Sequence, residues 1–114
     1  MITIYHNPRC QKSRLGVKAL EENGYDFEII KYLDNPLTVQ KLEQIIQKLG
    51  LPPIKLVRQN EALWKSNFKA KTLSDTELIQ AMVEHPKLIE RPIVVYGNKA
   101  VIGRPTEEIF KILD

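Results

Sequence analysis

Residues 2–33 read ITIYHNPRCQKSRLGVKALEENGYDFEIIKYL, and this stretch decides the fold. Ile2 to Tyr5 is a short apolar run with β-branched residues, the mark of a buried strand. His6-Asn7-Pro8-Arg9 supplies turn chemistry, and a helix is predicted from about Cys10 to Asn23. Leu15, Ala19 and Leu20 should face inward, and Gly24 should end the helix in the left-handed region. Phe27 to Leu33 alternates enough for a second strand. A strand, a helix and another strand in that order imply a right-handed crossover and a parallel pair.

The rest of the chain divides into a helical middle and a strand-rich end. Thr38 can cap a helix in which Leu42, Ile45, Ile46 and Leu49 follow the helical repeat, and Gly50 with Pro52-Pro53 stops it. Ser74-Asp75-Thr76-Glu77 is a capping-box pattern opening another helix, with Leu78, Ile79, Met82 and Val83 inward and Pro86 at its end. Residues 54–72 read as short helical turns and loops. Ile93-Val94-Val95-Tyr96 and Lys99-Ala100-Val101-Ile102 flank Gly97-Asn98, a two-residue hairpin signal. Arg104-Pro105-Thr106 then opens a terminal helix, with Pro105 near its first position and Ile109, Ile112 and Leu113 buried. The order β-α-β, helical insertion at about 38–86, β-β-α is that of an α/β thioredoxin-like fold with a mixed four-stranded sheet. The whole of 1–114 should form a single domain.

Composition excludes several classes. The chain has 114 residues, is 43% hydrophobic and 27% charged, and can build one core without disulfide or metal staples. Its net charge of +3 favours small anions, but no cluster of Lys and Arg signals nucleic acid. No apolar run nears the ~20 residues that span a bilayer, and the N-terminus lacks a signal-peptide pattern. A cytoplasmic location is therefore expected, consistent with a single cysteine that can form no internal disulfide. A monomer is expected.

That cysteine, Cys10, falls where strand and turn hand over to a helix. Helix N-termini stabilise anions through unpaired N–H groups, and Arg9, Lys12, Arg14 and His6 offer nearby positive charge. Such a setting lowers a thiol pKa and makes a nucleophile. Position and charge alone leave a second reading open, a buried and inert thiol. The spacing excludes a phosphatase-type loop, because Gly16 stands where its arginine would be. A Cys-x-x-Cys pair is excluded by Ser13. No glycine-rich phosphate loop or dinucleotide fingerprint is present. His6, His85 and Cys10 lack metal-ligand spacing, so no metal is expected.

His6-Asn7-Pro8-Arg9-Cys10-Gln11-Lys12-Ser13-Arg14 resembles the active-site signature of the glutaredoxin-dependent arsenate reductase (ArsC) family. The resemblance continues through Tyr32-Leu33-Asp34-Asn35-Pro36, Leu56-Val57-Arg58, His85 to Val95, and Gly103-Arg104-Pro105. It implies that Cys10 attacks arsenate while Arg58, Arg91 and Arg104 gather around the thiol and hold the oxyanion. Guanidinium forks suit that task, since they offset like-charge repulsion and fix the oxygens by paired hydrogen bonds. It further implies a cis Pro92 facing the cysteine, a histidine (His6) that helps lower the thiol pKa, and a loop shaped by Asn7, Pro8, Ser13 and Arg14. No bound cofactor is implied. Glutathione would be the co-substrate and glutaredoxin the protein partner. Arg9 and Lys12 make the loop more basic than in resistance-associated members, and the chain ends at Asp114 without their C-terminal extension. Two other readings stay open: a general glutathione-linked thiol/disulfide reductase, and an Spx-like regulator that binds RNA polymerase.

Overall fold

Strand β1 (Ile2–Tyr5) is the centre around which the first part of the chain is built. In the computed structural model, which describes residues 1–113, β1 pairs in parallel with β2 (Phe27–Ile30), matching Ile2 with Phe27 and Tyr5 with Ile30. On its other side it pairs antiparallel with β3 (Ile93–Tyr96), which in turn forms a hairpin with β4 (Lys99–Ile102). The four-stranded order is β2-β1-β3-β4, the mixed sheet of a thioredoxin-like fold. The hairpin turn has φ +63° at Gly97, and among the described residues none other than glycine has positive φ. A positive first and negative second φ is the type II′ pattern, whose twist suits the strands it joins.

Contacts divide the chain into two units, Met1–Asn35 with the chain from Arg91 onward, and Pro36–Glu90. In the first unit, helix α1 (Gln11–Glu22) links β1 to β2. Its C-terminus closes as a Schellman motif: the Tyr25 N–H donates to the Leu20 carbonyl, the Gly24 N–H donates to that of Glu21, and Gly24 takes φ +73°. The buried stripe of α1 is Ser13, Gly16 and Leu20, with Val17 partly covered, whereas Leu15 is exposed. The expected inward Leu15 is thus corrected. It sits five residues before Leu20, about 140° round the helix from it, while Ser13 and Gly16 share the inner face. A Cβ added to Gly16 would lie 2.9 Å from the Pro92 ring and 3.3 Å from Ile109, so the helix reaches its neighbours there only as glycine.

Two further expectations need adjustment. β2 ends at Ile30, not Leu33, because β1 has run out: the His6 N–H takes the Ile30 carbonyl, and Lys31 opens a turn that its own carbonyl closes with Asp34 and Asn35. Tyr32 is buried in that turn. The terminal helix is a 3-10 helix (Thr106–Ile112) with Pro105 just before it. Three residues per turn put Ile109 and Ile112 in line, and both are buried. Leu113 is partly buried against the same core. The chain end at Asp114 lies outside the described residues. Arg91–Pro92 and Arg104–Pro105 are both cis, the first as the family resemblance implies.

The second unit is helical. Helix α2 (Val39–Leu49) is capped by Thr38, whose Oγ1 accepts from the Lys41 N–H at 3.1 Å, and ends at Gly50 with φ +67°. Its Leu42, Ile45 and Ile46 are buried, and Leu49 is partly so. A 3-10 turn (Pro53–Leu56) and a short helix α3 (Ala62–Asn67) occupy the stretch read as turns and loops. Helix α4 (Asp75–Glu84) carries the full capping box between Ser74 and Glu77 and buries Leu78, Ile79 and Met82. Val57 bridges Ile89 antiparallel, with the Arg58 N–H on the Leu88 carbonyl and the Glu90 N–H on that of Leu56. No helix among the described residues is long and apolar enough to cross a membrane.

Candidate active site

The loop between β1 and α1 is tied by its own side chains. The Asn7 N–H donates to Ser13 Oγ at 3.0 Å, and His6 Nδ1 shares a hydrogen bond with the same oxygen at 2.6 Å. Asn7 Oδ1 accepts from the Arg9 N–H, and the Asn7 carbonyl accepts from the Cys10 N–H at 3.0 Å. Arg14 Nη1 donates to the Pro8 carbonyl at 2.8 Å. Ser13 is fully buried, and His6 and Asn7 nearly so. Buried polar groups keep their place only when paired, and here each pairing fixes part of the loop that presents Cys10.

Cys10 is the N-cap of α1, half-buried, with extended φ and ψ. No acidic residue occupies the first turn of the helix, so its N-terminal amides are left to the thiol. Burial pushes the thiol pKa up, but the Ser13 amide, a hydrogen bond from Arg91, the Lys12 amide and the Arg91 charge together outweigh it and hold the pKa below the ordinary value. Arg91 is itself 92% buried, at 8% exposure. A low-dielectric setting strengthens its pull on a thiolate.

The structure thus corrects the sequence-based account of where the positive charge comes from. Arg9, Lys12 and Arg14 are exposed in their side chains, and what acts on the sulfur is the Lys12 amide rather than its ammonium. His6 is not a cation at neutral pH: burial first, then the charges of Lys31 and Arg14, lower its pKa below the ordinary 6.5. This has a consequence for stability. As pH falls through about 6.5 the unfolded chain protonates His6 while the folded protein still resists, so the unfolded state binds more protons and stability drops. Urea midpoints should therefore fall between about pH 7.5 and about pH 5.5, and the fall should be shallower in His6→Gln. Equal slopes in the two proteins would contradict a neutral, buried His6.

The remaining residues singled out in the sequence are placed as follows. Pro92, in its cis peptide, contacts the Gly16 region of α1 and leads into β3. Arg104 is exposed after β4 and is not among the groups that shift the thiol. Arg58 belongs to the second unit, where Nη1 donates to Glu61 at 2.9 Å and Nε lies 3.4 Å from Glu90. Among the described residues no group of three or more His, Cys, Asp or Glu is arranged to hold a metal ion. One feature was not foreseen: a pocket of about 220 Å³ lined by Asn7, Pro8, Arg9, Lys31, Leu33 and Asp34. Tyr32 to Pro36 carried part of the family resemblance, yet nothing in the residue pattern assigned it a role.

The ArsC family profile matches residues 5–112. The Escherichia coli (strain K12) protein named as the uncharacterized protein YfgD is 46% identical, over 98% of this chain and 96% of that one. The arsenate reductase of Haemophilus influenzae is 44% identical, over 98% of each chain. Among solved structures, the arsenate reductase from Vibrio cholerae superposes with a TM-score of 0.93 at 44% identity, covering 97% of this chain and 96% of that one.

Proposed function

This chain belongs to the ArsC family, and from that premise we propose that it is an arsenate reductase whose nucleophile is the thiolate of Cys10. The observation that carries the reading is the buried Arg91 guanidinium on a half-exposed N-cap thiol whose pKa is held below its ordinary value. Only a thiolate attacks well, and a fixed guanidinium beside it both keeps it ionised and receives a tetrahedral anion. Arg104, which follows β4 in the same unit as Cys10, carries the rest of the oxyanion in this reading.

The reaction proceeds by exchange at arsenic. The Cys10 sulfur bonds to arsenic and one oxygen leaves as water. Glutathione then bonds through its sulfur to the same arsenic, and a second oxygen leaves as water. A glutaredoxin thiolate attacks the glutathione sulfur, forming the mixed disulfide, and the electron pair of the broken S–As bond stays on arsenic, which becomes As(III). Water cleaves the Cys10–As bond and releases arsenite. The two electrons come from the two outside sulfurs, as a chain with one cysteine requires. Resident metals and nicotinamides have no part in this scheme.

The test is reconstitution with arsenate, glutathione and glutaredoxin, omitting each in turn. Full turnover should need all three, with the adduct on Cys10 seen by mass spectrometry when glutaredoxin is left out. Turnover of a glutathione mixed disulfide in preference to arsenate would favour a general thiol reductase. Stoichiometric binding of RNA polymerase without turnover would favour the regulator.

A further inference from the structure

We propose that the pocket beside the Cys10 loop seats the amino-acid end of a small zwitterionic thiol, the reductant that attacks the Cys10 adduct. The inference rests on the reading of Cys10 as the nucleophile and adds to it a place for the second reactant. Three of the wall residues, Asn7, Pro8 and Arg9, are the three that precede Cys10. The Asn7 carbonyl lies 3.0 Å from the Cys10 N–H, so an occupant of this pocket is held against the backbone that carries the sulfur. The rest of the lining comes from the turn after β2, with Lys31, Leu33 and Asp34.

The wall chemistry has both signs. Arg9 and Lys31 offer cations to a carboxylate, and Asp34 offers a carboxylate to an ammonium. Leu33, 38% exposed, and Pro8 cover the methylenes between. A bare oxyanion would meet Asp34 with repulsion, whereas an α-amino acid group satisfies all three charges. The pocket's volume of about 220 Å³ falls below the ~300 Å³ at which sites begin to enclose a whole ligand. It therefore takes one end and leaves the thiol outside, free to reach arsenic on Cys10. Lys31 also acts on the His6 ring, which places its charge at this end of the sheet.

The experiment uses S-methylglutathione, which binds but cannot react, on the resting protein. Its addition should shift the amide resonances of Asn7, Arg9 and residues 31–34, and Lys31→Glu should raise its Kd about tenfold. In turnover, Lys31→Glu should lower the preference for glutathione over uncharged mercaptoethanol by a similar factor, and Asp34→Asn should lower it less. An unchanged preference, or shifts elsewhere on the protein, overturns the inference even if arsenate is reduced. Binding at this pocket in a protein that reduces no arsenate would sink the Cys10 reading and leave the pocket. If only glutaredoxin, and no form of glutathione, shifts these residues, the pocket is a docking point for a protein loop and the inference fails.

Discussion

Cys10→Ser should reduce arsenate at less than about a thousandth of the wild-type rate, with fold and stability intact. A serine hydroxyl keeps the shape of the thiol but ionises far outside the working pH range, so the first bond to arsenic does not form. The position makes the variant a clean one. Cys10 is the N-cap of α1 with extended φ and ψ, and serine is among the best N-cap residues. Thermal melting should therefore match or exceed the wild type. Mass spectrometry should find no arsenic adduct on the variant. Residual activity above about one per cent would place the chemistry elsewhere.

Arg91→Ala should lose about a hundredfold in activity and raise the Cys10 pKa. The guanidinium is buried at 8% exposure and acts on the sulfur both by hydrogen bond and by charge. Hydrogen bonds to charged groups contribute about 1.5–3 kcal/mol each, which is roughly ten- to a hundredfold in rate. In the proposed mechanism the same group also receives the oxyanion, which sets the expected loss at the upper end of that range. Arg91→Lys should recover the thiol pKa in part but little of the activity, because an ammonium lacks the planar fork that fixes two oxygens. Alkylation measured against pH separates the two effects. A thiol pKa unchanged in Arg91→Ala would show that the helix amides alone ionise the sulfur.

Much of this architecture is legible in the residues. The β-α-β opening, the Ser74 capping box, the Gly97-Asn98 turn and the stops at Gly24 and Gly50 each rest on local chemistry that tertiary packing did not override. The failures have tertiary causes. Leu15 is apolar yet exposed, because Ser13 and Gly16 are small and let α1 approach Pro92 and Ile109. The length of β2 is set by its partner strand, so no reading of residues 27–33 alone could end it at Ile30. The Val57–Ile89 bridge joins residues 32 apart and has no local signature.

The site shows the same division. Cys10 at a helix start is readable from the turn that precedes it. The source of its charge is not, since the side chains of nearby Arg9, Lys12 and Arg14 are exposed and do not act on the sulfur, while Arg91, 81 residues away, does. His6 stands among basic residues in the sequence, but burial holds its pKa down. Ser13, at the place where a second cysteine would stand, is spent on His6 and Asn7, so it stiffens the loop rather than exchanging electrons.

All of the proposed chemistry depends on one sulfur being anionic and within reach of solvent at neutral pH. Iodoacetamide labelling of Cys10 across pH is the direct measurement, carried out alone and with arsenate or sulfate added. Labelling should reach half its plateau rate below the ordinary thiol range near about 8.5, and both anions should slow it. A thiol that titrates at or above that range, or one that neither anion protects, would contradict the site as described.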